Sequence, residues 1–141
     1  MAVGLSSTQA GRQAARLAGV RPELRAAYAK ALLAWLERPE LARLGRPIVT
    51  EGYRSPAAQD ALFEQGRSQP GPVVTYKRGG ESKHNLVPAR ALDVAFLLDN
   101  GQVSWSAELL RRFAELMKAA NSAVRWGGDW PKFKDRPHFE V

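Results

Sequence analysis

The chain contains no cysteine, only two histidines and no long apolar run among its 141 residues. Without cysteine, disulfide scaffolds, thiol nucleophiles and cysteine-ligated zinc sites are excluded, while the redox state of the compartment stays open. No stretch of about 18 apolar residues offers a membrane span, and residues 1–20 lack the apolar core of a signal peptide. We therefore expect synthesis in the cytoplasm without a signal peptide, and no stable membrane association.

The composition is that of one compact domain with a basic surface. At 45% hydrophobic content, 141 residues are enough to bury a core without disulfides, so we predict a single domain, 1–141. A formal net charge of +7 and a pI near 10.2 favour attraction to polyanions such as nucleic acid, anionic lipid or acidic cell-wall polymers. Solubility alone explains the same charge equally well.

Hydrophobic periodicity and turn residues divide the chain into helices and strands. Helices are predicted to begin near Ser6, Pro22, Ser55 and Ser106, and the second of them is expected to stop at Pro39. Strands are predicted at 48–54, 91–97, 123–126 and the last four residues. The segment 67–81, rich in glycine, proline and basic residues, predicts a surface loop that forms one wall of a binding groove.

Two of the predicted strands alternate so that polar side chains leave the sheet opposite the apolar ones. Asp93 stands between Leu92 and Val94, and therefore leaves the apolar face of its strand. Near the C-terminus, His138 and Glu140 share one face. His138 can thus leave a sheet in the same sense as Asp93.

Both histidines lie in segments that also contain carboxylates. With two histidines and no cysteine, a protein zinc site can be completed only by carboxylates, so His84, Asp93 and His138 are the natural ligand set. Asp135, three residues before His138, can lie beside the metal as a general base. Arg54, at a predicted strand-to-helix junction, can hold a substrate carbonyl or the oxyanion that develops on it.

Other interpretations of the same residues stay open at this point. Ser82 is a candidate partner that orients a metal ligand. Lone histidines are often hydrogen-bonded core or surface groups, Asp93 can cap a turn, and Arg54 can pair with Glu51 or Asp60. A serine hydrolase is disfavoured because no G-x-S-x-G elbow is present.

Four short motifs together resemble a known family of enzymes. They are Ser-x-His at 82–84, Ala-x-Asp at 91–93, Trp-Gly-Gly at 126–128 and Asp-x-Pro-His-Phe at 135–139. In this combination the chain resembles the zinc D-alanyl-D-alanine/L-alanyl-D-glutamate peptidases, and the small bacteriophage endolysins of that group in particular. The resemblance extends over about residues 47–141, roughly two thirds of the chain.

The resemblance implies a fold, a cofactor and a reaction. The implied fold is α+β, of the hedgehog/D-Ala-D-Ala peptidase type, with helices packed on a small, mostly antiparallel sheet. N-terminal helices would occupy 1–46 and the zinc peptidase core 47–141. The implied reaction cleaves the stem peptide of bacterial peptidoglycan between L-alanine and D-glutamate. The implied site residues are His84, Asp93 and His138 as ligands of one zinc ion, Asp135 as catalytic base, and Arg54 as the group that stabilises the substrate carbonyl and the transition state.

The gap between His84 and Asp93 departs from the pattern of many family members. It is two residues longer, and Ala89 stands where glycine is usual. Longer gaps that contain proline, as Pro88 does here, are familiar among phage endolysins. We therefore interpret the gap as a trait of that subgroup.

The favoured prediction is a phage or prophage endolysin that hydrolyses the L-Ala–D-Glu bond with zinc-activated water. Lys77 and Arg78 are expected to help hold the D-glutamate carboxylate, while Trp126 and Trp130 either flank the cleft or belong to the core. We expect a monomer without a specific nucleic-acid partner, acting on the periplasmic cell wall after membrane permeabilisation. The alternatives are a D-Ala-D-Ala carboxypeptidase or dipeptidase, and a non-catalytic cationic binder of cell wall or nucleic acid with structural zinc.

Overall fold

The computed structural model of the chain describes residues 4–141, so the first three residues of the predicted region 1–46 lie outside the described residues. The helices are α1 (Ser7–Ala18), α2 (Pro22–Leu36), α3 (Pro39–Ala42), α4 (Pro56–Glu64) and α5 (Ala107–Ala120). The strands are β1 (Arg46–Glu51), β2 (Ala91–Leu97), β3 (Val103–Ser104), β4 (Arg125–Trp126) and β5 (His138–Glu140). Between residues 4 and 141, no helix is both long and apolar enough to cross a membrane.

The five strands form one antiparallel sheet around β2. The order is β1-β2-β5-β4, and β3 also pairs with β2. β1 pairs along one edge of β2, whereas β3 and β5 pair with different parts of the other edge. Helices packed on a small antiparallel sheet confirm the predicted α+β class.

The helix starts follow the predicted caps. Ser6 and Gln9 form a reciprocal capping box at α1, and the hydroxyls of Ser55 and Ser106 accept backbone N–H bonds at the starts of α4 and α5. Pro22 is the first residue of α2, where its missing N–H costs no helical hydrogen bond.

Several details differ from the prediction, among them β4, which spans Arg125–Trp126 rather than 123–126. Pro39 was expected only to stop a helix; α2 ends earlier, at Leu36, and Pro39 begins the short helix α3, because proline also suits a first helical position. β1 spans Arg46–Glu51 rather than 48–54, since the chain bends at Gly52. The two-residue strand β3 is too short to show a period of its own.

The core joins the N-terminal helices to the sheet. Trp35 of α2, Phe96 of β2, Phe113 of α5 and Phe139 of β5 are all fully buried. The Trp35 and Phe96 rings are 5.1 Å apart, and the Phe113 ring lies 6.0 Å from both Trp35 and Phe139. Aromatic pairs at this spacing add to the hydrophobic free energy of the core. α2 and the C-terminal strand are therefore parts of one packing unit.

Helix α1 has no fully buried residue; Leu17 packs against the edge of the core, and polar contacts attach the helix to the sheet. The side-chain amide of Gln13 donates to the carbonyl of Val49 at 2.8 Å and accepts from its N–H at 2.7 Å. Arg16 donates to the same carbonyl at 3.0 Å. Because β1 is an edge strand, these bonds occupy backbone groups that would otherwise be open to another chain.

Gly52 allows the closest approach between α1 and the end of β1. A β-carbon at this position would lie 2.4 Å from the carbonyl oxygen of Arg16. We expect Gly52→Ala to lower the free energy of unfolding by about 1–3 kcal/mol, because α1 has to move away. The matched control is Gly11→Ala inside α1, where a β-carbon meets nothing within 4 Å; it should raise stability by about 0.5–1 kcal/mol. Urea unfolding of both variants checks the pair, and equal stability would contradict the packing described here.

Candidate functional site

His84 is held by a short 3₁₀ turn at Lys83–Asn85. The hydroxyl of Ser82 caps this turn by accepting from the His84 N–H at 3.2 Å. Nδ1 of His84 lies 2.7 Å from the carbonyl oxygen of Gly52. A carbonyl can only accept, so Nδ1 donates this hydrogen bond. Nε2 is directed at Asp93, whose Oδ1 is 3.2 Å away.

Asp93 and His138 face each other across the β2–β5 ladder. They are direct partners in the register, and both side chains leave the same face of the sheet. His138 Nδ1 lies 3.6 Å from Asp93 Oδ1. Its Nε2 contacts Glu140 Oε1 at 2.8 Å, and Lys83 holds the other oxygen of Glu140 at 2.9 Å. Glu140 thus orients the imidazole and leaves Nδ1 directed at the cluster.

Donor atoms of His84, Asp93 and His138 all lie within 4.8 Å of one another, so this group can hold a metal ion. Both histidines are buried. Zinc takes such ligands at about 2.0–2.1 Å, which separates two ligands of a tetrahedral site by roughly 3.3 Å. The two measured separations from Asp93 Oδ1, 3.2 and 3.6 Å, are close to that value. Hydrogen bonds on the far side of each imidazole are typical of metal-binding histidines.

The protonation states of the cluster reflect its carboxylates. Burial lowers the pKa of His138, but its hydrogen bonds to Asp93 and Glu140 outweigh burial and raise it to about 9. Burial raises the pKa of Asp93, yet hydrogen bonds from His138 and His84 bring it well below its ordinary value. The pKa of Glu140 is likewise raised by burial and lowered, to about 2, by His138 and Lys83. The group attracts positive charge, and a metal ion would replace the proton on His138.

Asp135 reaches the same site from the loop before β5. Its N–H donates to the carbonyl of Gly127 at 3.0 Å, and a β-carbon at Gly127 would come within 2.1 Å of the Asp135 carbonyl oxygen. Only glycine permits this approach. Oδ2 of Asp135 lies 3.9 Å from His138 Nδ1, beside the cluster. Burial and the charge of Asp93 raise the pKa of Asp135, which favours a carboxylate able to take up a proton.

Arg54 lies on the opposite side of Asp93, where the chain passes from β1 to α4. Its backbone N–H donates to the carbonyl of His84 at 2.9 Å, which joins the two segments. Its Nη2 is 3.6 Å from Asp93 Oδ2 and its Nε is 3.7 Å from Glu51. Asp93 therefore directs Oδ1 at the two histidines and Oδ2 at Arg54. Of the two pairings considered for Arg54, the structure has the one with Glu51.

These groups line a cavity of about 570 Å³. The predicted site residues that line it are Arg54, Lys77, Ser82, His84, Asp93, Trp130, Asp135 and His138. The loop predicted as a groove wall contributes 74–77. The Trp130 ring lies 5.1 Å from the His138 ring and so borders the metal-binding group directly.

Two residues that were predicted to contact the substrate do not line the cavity. Trp126 does not line the cavity; the residue is 8% exposed, and its indole N–H donates to the carbonyl of Arg136 at 2.6 Å. The reason is its position in β4 directly opposite the buried Phe139. Arg78 also lies outside the cavity lining, because its guanidinium stacks over the Phe63 ring at 4.7 Å.

The structure adds five residues that the sequence analysis left without a role. Glu140 could have been found, because alternation already placed it on the face of His138. Gln59 lies three and four residues before Leu62 and Phe63, and therefore on the same face of the predicted helix. An amide on the apolar face of a helix indicates a buried polar contact. Tyr76, Trp105 and Phe133 line the cavity from three separate loops. No pattern distinguishes such aromatic residues from ordinary surface residues before the loops are folded together.

Comparisons with known proteins agree with this geometry. The pattern of a family described as D-alanyl-D-alanine carboxypeptidase matches residues 75–141. The chain is 41% identical over 101 residues to the peptidoglycan L-alanyl-D-glutamate endopeptidase CwlK of Bacillus subtilis (strain 168), a match that covers 67% of this chain and 59% of CwlK. The chain thus spans less than two thirds of the length of that curated relative.

A solved structure is similar over most of the chain. The crystal structure of the Serratia marcescens L-Ala D-Glu endopeptidase ChiX matches with a TM-score of 0.66 and 28% sequence identity, covering 92% of this chain and 86% of ChiX. The family match includes His84, Asp93, Asp135 and His138, whereas Arg54 precedes it. In sequence and in fold, the chain is similar to the D-alanyl-D-alanine/L-alanyl-D-glutamate peptidases.

Proposed function

We propose that the protein is a zinc-dependent endopeptidase that hydrolyses the L-alanyl-D-glutamate bond in the stem peptide of peptidoglycan. The observation that carries the proposal is the His84–Asp93–His138 group in the cavity, with Asp135 beside it. CwlK and ChiX are both named as endopeptidases for this bond, which favours it over the D-Ala-D-Ala terminus.

In this proposal one zinc ion would be held by His84 Nε2, Asp93 Oδ1 and His138 Nδ1. When bound, zinc supplies the Lewis acidity that activates water and polarises the scissile carbonyl. Gly52 and Glu140 fix the orientation of the two imidazoles through the hydrogen bonds on their other nitrogens.

Asp135 and Arg54 act on the substrate from opposite sides of Asp93. The Asp135 carboxylate accepts a proton from the attacking water and delivers it to the amine of D-glutamate as the peptide bond breaks. The raised pKa of Asp135 suits both transfers. Arg54 donates to the carbonyl oxygen, whose negative charge grows in the transition state.

The cavity walls are suited to a peptide with free carboxylates. Lys77 lines the wall formed by the loop and offers a positive charge to the free carboxylate of D-glutamate. Trp130 gives a flat apolar surface next to His138. We assign Arg78 only a weaker, long-range attraction for the substrate carboxylate, since its guanidinium lies over the Phe63 ring.

We further propose that the enzyme serves a phage or prophage as an endolysin. The proline-containing gap between His84 and Asp93 supports this role, because such gaps are familiar among phage endolysins. A monomer made in the host cytoplasm would then reach the periplasmic cell wall after the membrane is permeabilised. Host cells expressing the chain should lyse only after a membrane-permeabilising agent is added, as followed by culture turbidity; lysis without the agent would contradict this role.

The reaction can be identified by mass spectrometry of purified peptidoglycan digested with the protein. We expect glycan strands that keep a lone L-alanine, and peptides with a new D-glutamate amino terminus. A zinc chelator should abolish both products and added zinc should restore them. Release of D-alanine or its dipeptide would instead support the carboxypeptidase or dipeptidase, and intact peptidoglycan in zinc-replete buffer would support the non-catalytic binder.

Asp135→Asn tests the proposed base, because the amide keeps the size of the side chain but cannot take up the proton. We expect kcat to fall by about 10²–10⁴-fold while the zinc content of the protein is unchanged. Steady-state hydrolysis of a stem peptide and metal analysis measure the two quantities. Full activity of this variant would remove Asp135 from the mechanism.

Glu140→Ala is the contrasting variant, since Glu140 orients His138 without touching the substrate side of the cavity. Here zinc affinity should weaken by about 10–100-fold, and excess zinc should restore most of the activity. If both variants lose zinc equally, Asp135 acts through metal binding and not as a base.

A further inference from the structure

Gln59 is a buried polar residue in the middle of α4. It is 1% exposed, while the apolar Leu62 and Phe63 of the same helix are only partly buried. A buried amide without partners is costly, so its hydrogen bonds reveal what it holds in place.

The amide of Gln59 connects two sides of the cavity. Its Oε1 accepts from Arg54 Nη1 at 2.8 Å. Its Nε2 donates to the carbonyl of Lys77 at 2.8 Å and to the hydroxyl of Thr75 at 3.3 Å. The Thr75 hydroxyl also accepts from the Lys77 N–H at 3.1 Å. This bond makes a local turn of residues 75–77, the part of the loop that forms the cavity wall. Arg54, Thr75 and Lys77 all line the cavity.

The hydrogen bond from Arg54 to Gln59 Oε1 also holds the guanidinium away from the carboxylates that attract it. Two carboxylates attract this guanidinium without direct hydrogen bonds, Asp93 at 3.6 Å and Glu51 at 3.7 Å. The 2.8 Å bond to Gln59 is the short contact that fixes its position. Without that bond, Arg54 is free to move toward Asp93 and away from its place at the cavity.

We propose that Gln59 is a positioning residue that holds Arg54 and the wall segment 75–77 at a fixed spacing, so that substrate binding at the wall sets the place of the guanidinium. The inference rests on the proposed function, because it assigns Arg54 to the substrate carbonyl. Gln59 does not itself act on the scissile bond. It links binding of the peptide to stabilisation of the transition state.

Two substitutions separate the two ends of this link. Gln59→Met has a similar length and removes all three hydrogen bonds. Gln59→Glu keeps an acceptor for Arg54 but loses the donor to the Lys77 carbonyl. The matched control is Gln13→Met, which also removes two backbone hydrogen bonds of a glutamine amide, but at α1, away from the cavity.

We expect Gln59→Met to lower kcat by about 10–100-fold, because misplacing a group by about 1 Å can cost about that much. Gln59→Glu should mainly raise KM, since the wall segment is released while Arg54 stays in place. Gln13→Met should leave both constants unchanged. Zinc content should equal that of the wild type in all three variants, and a double-mutant cycle of Gln59→Met with Arg54→Lys should be strongly non-additive.

Several results would overturn the positioning role. These are kinetics of Gln59→Met equal to those of Gln13→Met, or additive effects of the Gln59 and Arg54 substitutions. Amide hydrogen exchange of residues 75–77 gives a readout that needs no activity, and Gln59→Met should accelerate it relative to Gln13→Met. A wild-type protein that cleaves no peptidoglycan would refute the proposed function; unchanged exchange would refute the link made by Gln59.

Discussion

The register between β2 and β5 is the constraint on which the site depends. It sets Asp93 opposite His138, so that a single cross-strand pair supplies two of the three side chains that could hold a metal ion. The adjacent pair in the same ladder, Leu92 and Phe139, is fully buried on the other face. Because side chains alternate along a strand, burial of this apolar pair obliges the polar pair to face the cavity. A slip of one residue would reverse both faces at once.

Four acidic side chains in or next to the site are distinguished by their partners, and two of them, Asp93 and Asp135, line the cavity. Glu140 is paired with Lys83 and His138, while Asp93 is placed between two histidines and Arg54. These contacts keep both carboxylates ionised. Glu51 is more exposed and contacts Arg54 from outside. Asp135 has fewer positively charged partners and its pKa is raised, and this difference is the reason for proposing it as the group that transfers the proton.

Part of the site could be predicted because the chain offers few candidates. Two histidines and no cysteine leave His84 and His138 as the only imidazoles, and alternation showed that His138 and Asp93 can leave a sheet in the same sense. Gln59 was missed as a site residue because its partners are 5, 16 and 18 residues away in sequence. The sequence could not show which of Trp126 and Trp130 lies in the core and which borders the cavity. The pairing of β4 with β5 buries Trp126, whereas Trp130 lies beside His138.

The sequence by itself determined the main helix starts and the residues able to bind a metal, because caps, periodicity and residue chemistry act over a few positions. The class of fold followed from the resemblance of the motifs to a known family. The tertiary structure decided which of these residues meet. His84 is brought to Asp93 by the Gly52 carbonyl and the Ser82 cap, and Asp135 is brought beside His138 by the close approach of Gly127. Such contacts depend on distances between segments far apart in the chain, and those distances are set only when the shared core of α2, α5 and the sheet is packed.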